Sequence, residues 1–152
     1  MNDDPRLQLV LTEVAVFVTR RGGRDVLLVH RTPEHGGYWH VVAGGVEPGE
    51  TAVEAAEREL REETGLVAAL TSGVDVTEYV STLTAEPARR EEPSALAIGV
   101  TCFRAAAPDD WEPTLDWEHD GHRWCDSGEA ARTLRWPGTA DALRKLLPHD
   151  AA

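Results

Sequence analysis

The sequence has little cysteine and little positive charge. Cys102 and Cys125 lie far apart and outside any CxxC pair, so both are predicted to be packing residues and not parts of a disulfide framework or a zinc site. Fifteen Lys and Arg stand against 27 Asp and Glu, which gives a formal net charge of −12. Because this charge repels a phosphate backbone, polymeric nucleic acid is not expected as a partner. A small anionic substrate stays open, since a divalent cation reverses the field inside an acidic site.

Long apolar runs and targeting signals are missing as well. No stretch approaches the roughly 18 apolar residues that cross a bilayer. Residues 1–6 contain Asp3 and Asp4 and lack the basic and apolar regions of a signal peptide. These features predict a cytoplasmic protein with no membrane partner. Gly and Pro are scattered without a period, and a chain of 152 residues has room for one domain, which we place over residues 1–152.

Apolar segments separated by turn residues predict a mixed sheet. The strands are expected at 7–19, 26–29, 66–70, 74–83, 95–103 and 123–125, and residues 39–42 form one more short apolar segment. Residues 43–49 contain three glycines and a proline and predict a loop. Two further helices are expected near the end, a short one at 128–134 and an amphipathic one at 139–147.

The strongest helix signal lies at residues 51–64. Thr51 and Glu54 have the spacing of a capping box, and Gly65 is placed as the helix stop. At about 100° per residue, the carboxylates of Glu59, Glu62 and Glu63 share one face. A separate apolar stripe is predicted from three residues: Val53, Ala56 and Leu60. Because like charges at this spacing repel, the acidic face is either simply solvated or a site for a divalent cation.

The residues around this helix favour the cation site. Gly44 is followed, after five residues, by Glu50 and, after seven more, by the segment 58–66, which reads Arg-Glu-Leu-Arg-Glu-Glu-Thr-Gly-Leu. The series matches every fixed position of the Nudix box, Gx5Ex7REUxEExGU with U aliphatic. Such a match arises by chance about once in ten million. The chain therefore resembles the Nudix hydrolases, and segments 39–44 and 117–124 are weakly similar to the dihydroneopterin triphosphate pyrophosphohydrolase subgroup.

The resemblance implies a fold, a reaction and a cofactor. The fold would be of the α/β class (α+β type), an α/β/α sandwich with a mixed sheet. The reaction would be metal-dependent hydrolysis of a pyrophosphate linkage in a nucleoside di- or triphosphate, with water attacking phosphorus at a Mg²⁺-carboxylate site and Mn²⁺ able to substitute. The partner would be that small nucleotide. Neither the leaving group nor the number of metal ions follows from the sequence, and a homodimer stays open.

The same resemblance implies roles for individual residues. Its metal ligands here would be five: Glu59, Glu62, Glu63, the carbonyl of Ala43, and Glu118 from a late loop. Arg58 would orient a glutamate, and Glu50 would organise the loop. Arg31 matches a phosphate-side arginine, and Gly44 and Gly45 would contact substrate.

Several acids compete for the role of general base. Glu62, Glu63 and Glu118 are the expected candidates, in preference to histidine. His119 and His122 are predicted to be ordinary surface or loop histidines. Four of the five Trp residues, at 111, 117, 124 and 136, fall in the last third, where one ring could stack on a base.

Two other classes of protein share this fold. A non-catalytic nucleotide-binding regulatory module would often have lost a box glutamate, and here every box acid is intact. The isomerase branch uses a catalytic cysteine in its own motif, and neither cysteine of this chain has that context. The sequence therefore favours a hydrolase.

Overall fold

The computed structural model describes residues 11–71 and 73–147, where the chain forms seven strands and three α-helices. The strands are β1 (Leu11–Arg20), β2 (Asp25–Arg31), β3 (Trp39–His40), β4 (Val42–Gly45), β5 (Val74–Ser81), β6 (Ala95–Ala106) and β7 (His119–Cys125). The helices are α1 (Ala52–Thr64), α2 (Ser127–Thr133) and α3 (Pro137–Leu146), with a 3-10 turn at Pro33–His35. Residues 1–6 and the predicted first part of β1, at 7–10, lie outside the described residues.

All seven strands belong to one mixed sheet with the order β3-β2-β1-β6-β5, to which β4 adds on β1 and β7 on β2. Only the pairing of β1 with β6 is parallel among these described strands. At one end β1 pairs with β2 through Thr19 and Arg20. At the other end β1 pairs with β4, and β2 pairs with β3 and β7. The two strands therefore diverge, and a cleft opens between them.

A hydrophobic core covers each face of the sheet because the side chains of β1 alternate. Val14 and Val16 face one way and pack with Leu60 of α1. Ala15 and Phe17 face the other way and pack with Leu143 of α3. The three layers confirm the predicted α/β/α sandwich with a mixed sheet.

Two sequence predictions about the backbone were wrong. Residues 43–45 are not part of a loop, since Ala43 pairs with Ala15 and Gly44 with Val14 in β4. Where β2 diverges from β1, the backbone N–H and C=O groups of β1 need other hydrogen-bond partners. Strand β4 provides these partners, although it contains two glycines. The predicted strand at 66–70 is absent from the sheet; only Leu70 makes an isolated bridge, to Ala105.

Helix α1 begins and ends as predicted. Thr51 and Glu54 form a full capping box, and Gly65 follows in the left-handed conformation. The predicted apolar stripe is partly wrong, because Val53 is 45% exposed and the buried face instead includes Glu63. Helices α2 and α3 lie within two residues of their predicted bounds. None of the helices in the described ranges is long and apolar enough to cross a bilayer.

Both cysteines are buried free thiols, as predicted for packing residues. Burial raises the pKa of Cys102 to about 12 and that of Cys125 to about 11. At neutral pH neither is therefore a reactive thiolate.

Candidate active site

Arg58 fastens the loop before α1 to the helix itself. Its Nε and Nη2 donate to the two carboxylate oxygens of Glu50 at 2.8 and 3.0 Å, and Nη2 also donates to the carbonyl of Gly45 at 2.9 Å. Nη1 donates to Glu59 at 2.7 Å. These hydrogen bonds hold the pKa of Glu50 at about 2. One guanidinium thus fixes the loop and one box carboxylate together.

Gly44 leaves the space that the Glu59 carboxyl group occupies. A Cβ built on Gly44 would lie 2.3 Å from the carboxyl carbon of Glu59, far inside van der Waals contact. A Cβ on neighbouring Gly45 would meet no heavy atom within 4 Å. Gly44 is therefore required because β4 and the Glu59 side chain approach so closely.

Glu63 is buried beside Glu59. Its side chain is 3% exposed, and its Oε2 has no hydrogen-bond partner. Burial first, and then the hydrogen bond and charge of Glu59, raise the pKa of Glu63, whereas a backbone hydrogen bond from Ala43 lowers it. Glu62 differs, because its side chain is 53% exposed and lies 3.4 Å from Arg58. The three box acids therefore do not share one environment.

A hard divalent cation fits the Glu59–Glu63 pair. Two carboxyl groups share a poorly solvated corner, and one buried oxygen has no partner, so a positive charge there would stabilise both ionised forms. Within 11–71 and 73–147 no three acidic, histidine or cysteine side chains already converge as a ligand set. The remaining oxygens would come from the backbone, water or substrate, as Mg²⁺ usually requires.

His119 lies at the start of β7 and reaches the same corner. Its Nδ1 is 2.8 Å from Asp116, and its Nε2 is 3.6 Å from Oε1 of Glu63. The side chain is 1% exposed, so the surface prediction was wrong for this histidine. The spacing of Asp116 and His119 was a signal for it, since an aspartate three residues earlier can hold the ring. His122 lies farther along β7, with Nε2 3.8 Å from Glu112.

A cavity of about 380 Å³ opens where β1 and β2 diverge. Six residues predicted for the site line it: Arg31, Ala43, Gly44, Gly45, Glu59 and Glu118. Arg58, Glu62 and Glu63 are not among the described residues that form its wall. Nε of Arg31 donates to the carbonyl of His35 at 2.6 Å, and the carbonyl of Glu118 accepts from the Thr32 amide at 3.0 Å. The backbone thus fixes both residues at one rim.

Sequence reasoning missed several other polar residues in the cavity wall, among them Glu13, His40 and Glu78. His40 is 8% exposed, and its Nδ1 has no partner. Burial, together with the charges of Arg31 and His119, lowers the pKa of His40 to about 3, so the ring is neutral at pH 7. Each of the three lies within a strand pattern, where a single polar residue gives little signal.

The comparison with known families agrees with this geometry. The family model described as the NUDIX domain matches residues 11–146. The chain belongs to the Nudix hydrolase family. The resemblance inferred from the box is thereby confirmed.

Two relatives and one solved structure show the extent of the similarity. An octanoyltransferase of Myxococcus xanthus is 35% identical over 132 residues, which cover 87% of this chain but only 35% of that protein. A CTP pyrophosphohydrolase of Escherichia coli is 32% identical over 145 residues, 93% of this chain and 96% of the relative. The structure of E. coli dihydroneopterin triphosphate pyrophosphohydrolase has a TM-score of 0.74 at 23% identity, covering 91% of this chain and 97% of that one. This last likeness establishes the fold.

Proposed function

We propose that this Nudix protein hydrolyses a pyrophosphate linkage in a small nucleotide-type substrate with the help of Mg²⁺. The observation that carries the proposal is the corner formed by Arg58, Gly44, Glu59 and Glu63. There a buried, unpartnered carboxylate oxygen lies beside a second carboxyl group that the loop holds in place. A hydrolase that uses a divalent cation against a phosphate substrate needs carboxylate oxygens of this kind to hold the cation.

Glu59 and Glu63 are the proposed metal ligands, and the carbonyl of Ala43 adds a third oxygen. Glu62, which is more exposed, would join through water. When bound, Mg²⁺ would supply positive charge to the phosphoryl oxygens. The buried donor set supports this assignment because it has two acids. Within 11–71 and 73–147, Arg58 is the one lysine or arginine that bonds to either of them.

Glu118 is the proposed base, with Glu62 and Glu63 as alternatives from the box. Glu118 lines the same cavity as Glu59, which is where a base for the attacking water would have to lie. Arg31, on the same wall, would face the substrate phosphates together with the backbone of Gly44 and Gly45. Arg58 would act through Glu59 and Glu50 and would not contact the substrate.

The relatives support the chemical class of the substrate. The E. coli relative that matches almost end to end is named for pyrophosphate hydrolysis of CTP. We therefore propose a nucleoside triphosphate or a related diphosphate, acted on in the cytoplasm, with no polymeric nucleic acid and no membrane as partner.

A substrate panel with separated products tests this proposal. Nucleoside triphosphates, dinucleoside polyphosphates, nucleotide sugars and dihydroneopterin triphosphate would be incubated with Mg²⁺, Mn²⁺ or excess EDTA. We expect cleavage of a P–O–P linkage in at least one class, with Mg²⁺ or Mn²⁺ required. Full turnover in EDTA would contradict the metal role, and tight binding without turnover would instead identify a regulatory module.

A further inference from the structure

The cavity has an apolar floor and an aromatic rim beyond the metal corner. Its floor comes from the sheet and consists of Ala15, Val80, Ile98 and Val100. At the rim Nε1 of Trp136 donates to the hydroxyl of Tyr38 at 3.4 Å, and the Arg135 guanidinium lies 4.7 Å from the Tyr38 ring centre. A flat heterocycle suits such walls, because its faces can contact apolar and aromatic groups while its edge meets polar ones.

Glu13 brings a carboxylate to this wall. It lies on β1 opposite Gly45 and is partly exposed, so it faces the cavity that it lines. No described residue forms a hydrogen bond or an ion pair with its side chain. Burial raises the pKa of Glu13, and the charges of Glu59 and Glu78 add to this, whereas Arg31 opposes them. Among the described residues, no hydrogen-bond donor is therefore in place to stabilise the Glu13 carboxylate before a ligand binds, as the absence of a side-chain contact shows.

Glu78, the neighbouring acid on β5, is different because its oxygens already have donors. The amide of Gly138 donates to Oε1 at 2.9 Å, and Thr139 donates both its amide and its hydroxyl to Oε2. Glu78 therefore caps the start of α3 and holds Trp136 in the cavity wall. Of these two acids, Glu13 is the one left to accept a hydrogen bond from a ligand.

We propose that Glu13 is a specificity-determining residue that accepts a hydrogen bond from an amino group on the substrate heterocycle. The inference rests on the proposed function, since it assumes that the phosphates lie at Glu59 and the base in the remaining cavity. An ionised carboxylate only accepts hydrogen bonds. It favours a base with an exocyclic amino group and disfavours a base that presents a carbonyl oxygen at the same place.

Matched pairs of substrates test the role of Glu13. CTP and UTP differ by an amino group against a carbonyl oxygen, ATP and ITP differ in the same way at another ring position, and GTP and ITP differ by the presence of an amino group. We expect the parent to favour the amino member of at least one pair by about tenfold or more in kcat/KM. Glu13→Gln should reduce that ratio to about threefold or less, because an amide offers both a donor and an acceptor. The linkage that is cleaved should not change.

Asp75→Asn is the matched control. Asp75 is an exposed carboxylate on β5 that accepts a hydrogen bond from Thr101, outside the cavity, so its loss removes the same charge without touching the wall. This variant should keep the parental ratio. A melting curve of each variant would verify that the fold is retained.

The possible failures are distinguishable. An equal loss for both members of every pair would overturn the inference, because Glu13 would then act on the phosphates or the metal. An unchanged ratio in Glu13→Gln would overturn it as well. If the parent cleaves none of these compounds, the proposed function fails for them, and calorimetry with CMP against UMP and GMP against IMP tests Glu13 alone. Equal affinity within both pairs would overturn the inference independently of turnover.

Discussion

Glu63 combines burial, a neighbouring acid and an oxygen without a partner. We expect Glu63→Gln to lower kcat by at least about a hundredfold, because a carboxylate of the proposed metal site is lost. The same change should leave the metal-free protein no less stable at pH 8, since it removes a buried carboxyl whose pKa is raised in the folded state. Activity assays and melting curves in EDTA would measure the two effects. A marked fall in the metal-free Tm would mean that Glu63 is a structural residue.

Gly44 offers a test of the close approach between β4 and α1. Gly44→Ala should displace the Glu59 carboxyl group, because the new Cβ would lie 2.3 Å from its carboxyl carbon. We expect a loss of kcat of at least about tenfold together with weaker Mn²⁺ binding, measured by electron paramagnetic resonance. Gly45→Ala adds the same methyl group where there is space, and should have a clearly smaller effect. Equal losses in the two variants would refute the steric argument.

A substitution at Glu118 tests whether the general base comes from the late loop or from the Nudix box. Glu118→Gln should lower kcat strongly and change KM little, because the substrate is held by other contacts. Asp120→Asn is the comparison: its carboxylate is exposed and lies 2.6 Å from Nδ1 of His30. Steady-state kinetics would show which acid matters. Near-parental kcat in Glu118→Gln would assign the base to Glu62 or Glu63.

Some site residues could be read from the sequence, whereas others could not. The box fixes Glu59, Glu63 and Gly44 by their spacing along one continuous segment of the chain, so the local sequence pattern is sufficient. His119 and Glu13 reach the site only through tertiary pairing of strands that are distant in sequence. Their neighbours in the folded protein could not be inferred from a single chain, and His119 was wrongly expected at the surface.

At the scale of the element, the joint between β4 and α1 holds the residues of the proposed metal site. Arg58→Lys keeps the charge but loses the forked hydrogen bonds to Glu50 and the contact with Gly45. We expect the free energy of unfolding to fall, because several charge-assisted hydrogen bonds are lost together. Mn²⁺ binding should weaken as well, because Glu59 loses a partner. Urea unfolding and metal titration would measure these effects, and a stability unchanged from the parent would contradict the proposed joint.

The elements were predictable where one local rule decided the outcome. The capping box of Thr51 and the stop at Gly65 fixed both ends of α1. The strand at 42–45 was missed because glycine discourages strands, whereas pairing with the open edge of β1 outweighs that preference. The prediction for 66–70 was wrong in the opposite direction, because a strand was expected where none forms. Leu66 is buried beside α1, but the segment forms no ladder with the sheet apart from the bridge at Leu70.

At the scale of the whole molecule, stability should depend on pH through His40. Its pKa is about 3 in the folded protein, so only the unfolded chain binds this proton as the pH falls below about 6.5. The resulting loss is about 2 kcal/mol at pH 5. Glu63 acts in the opposite direction, because its raised pKa stabilises the folded state as the pH falls.

The His40 contribution is therefore measured by difference. Between pH 7 and pH 5, His40→Gln should gain about 2 kcal/mol relative to the parent in the free energy of unfolding. Urea unfolding of both proteins in EDTA at the two pH values gives this quantity. Parallel pH profiles for the two proteins would show that His40 is not held neutral by the fold.

The parallel pairing of β1 with β6 joins Leu11 to Ile98 and Thr19 to Ala106. A ribosome releases the N-terminal part first, so β1, β4 and α1 emerge long before β6 exists. Until then the edge of β1 that β6 will occupy carries unpaired N–H and C=O groups, and such long-range pairing forms slowly. A nascent chain stalled before residue 95 would therefore hold the whole Nudix box, residues 44–66, next to a strand edge whose backbone groups are still unpaired.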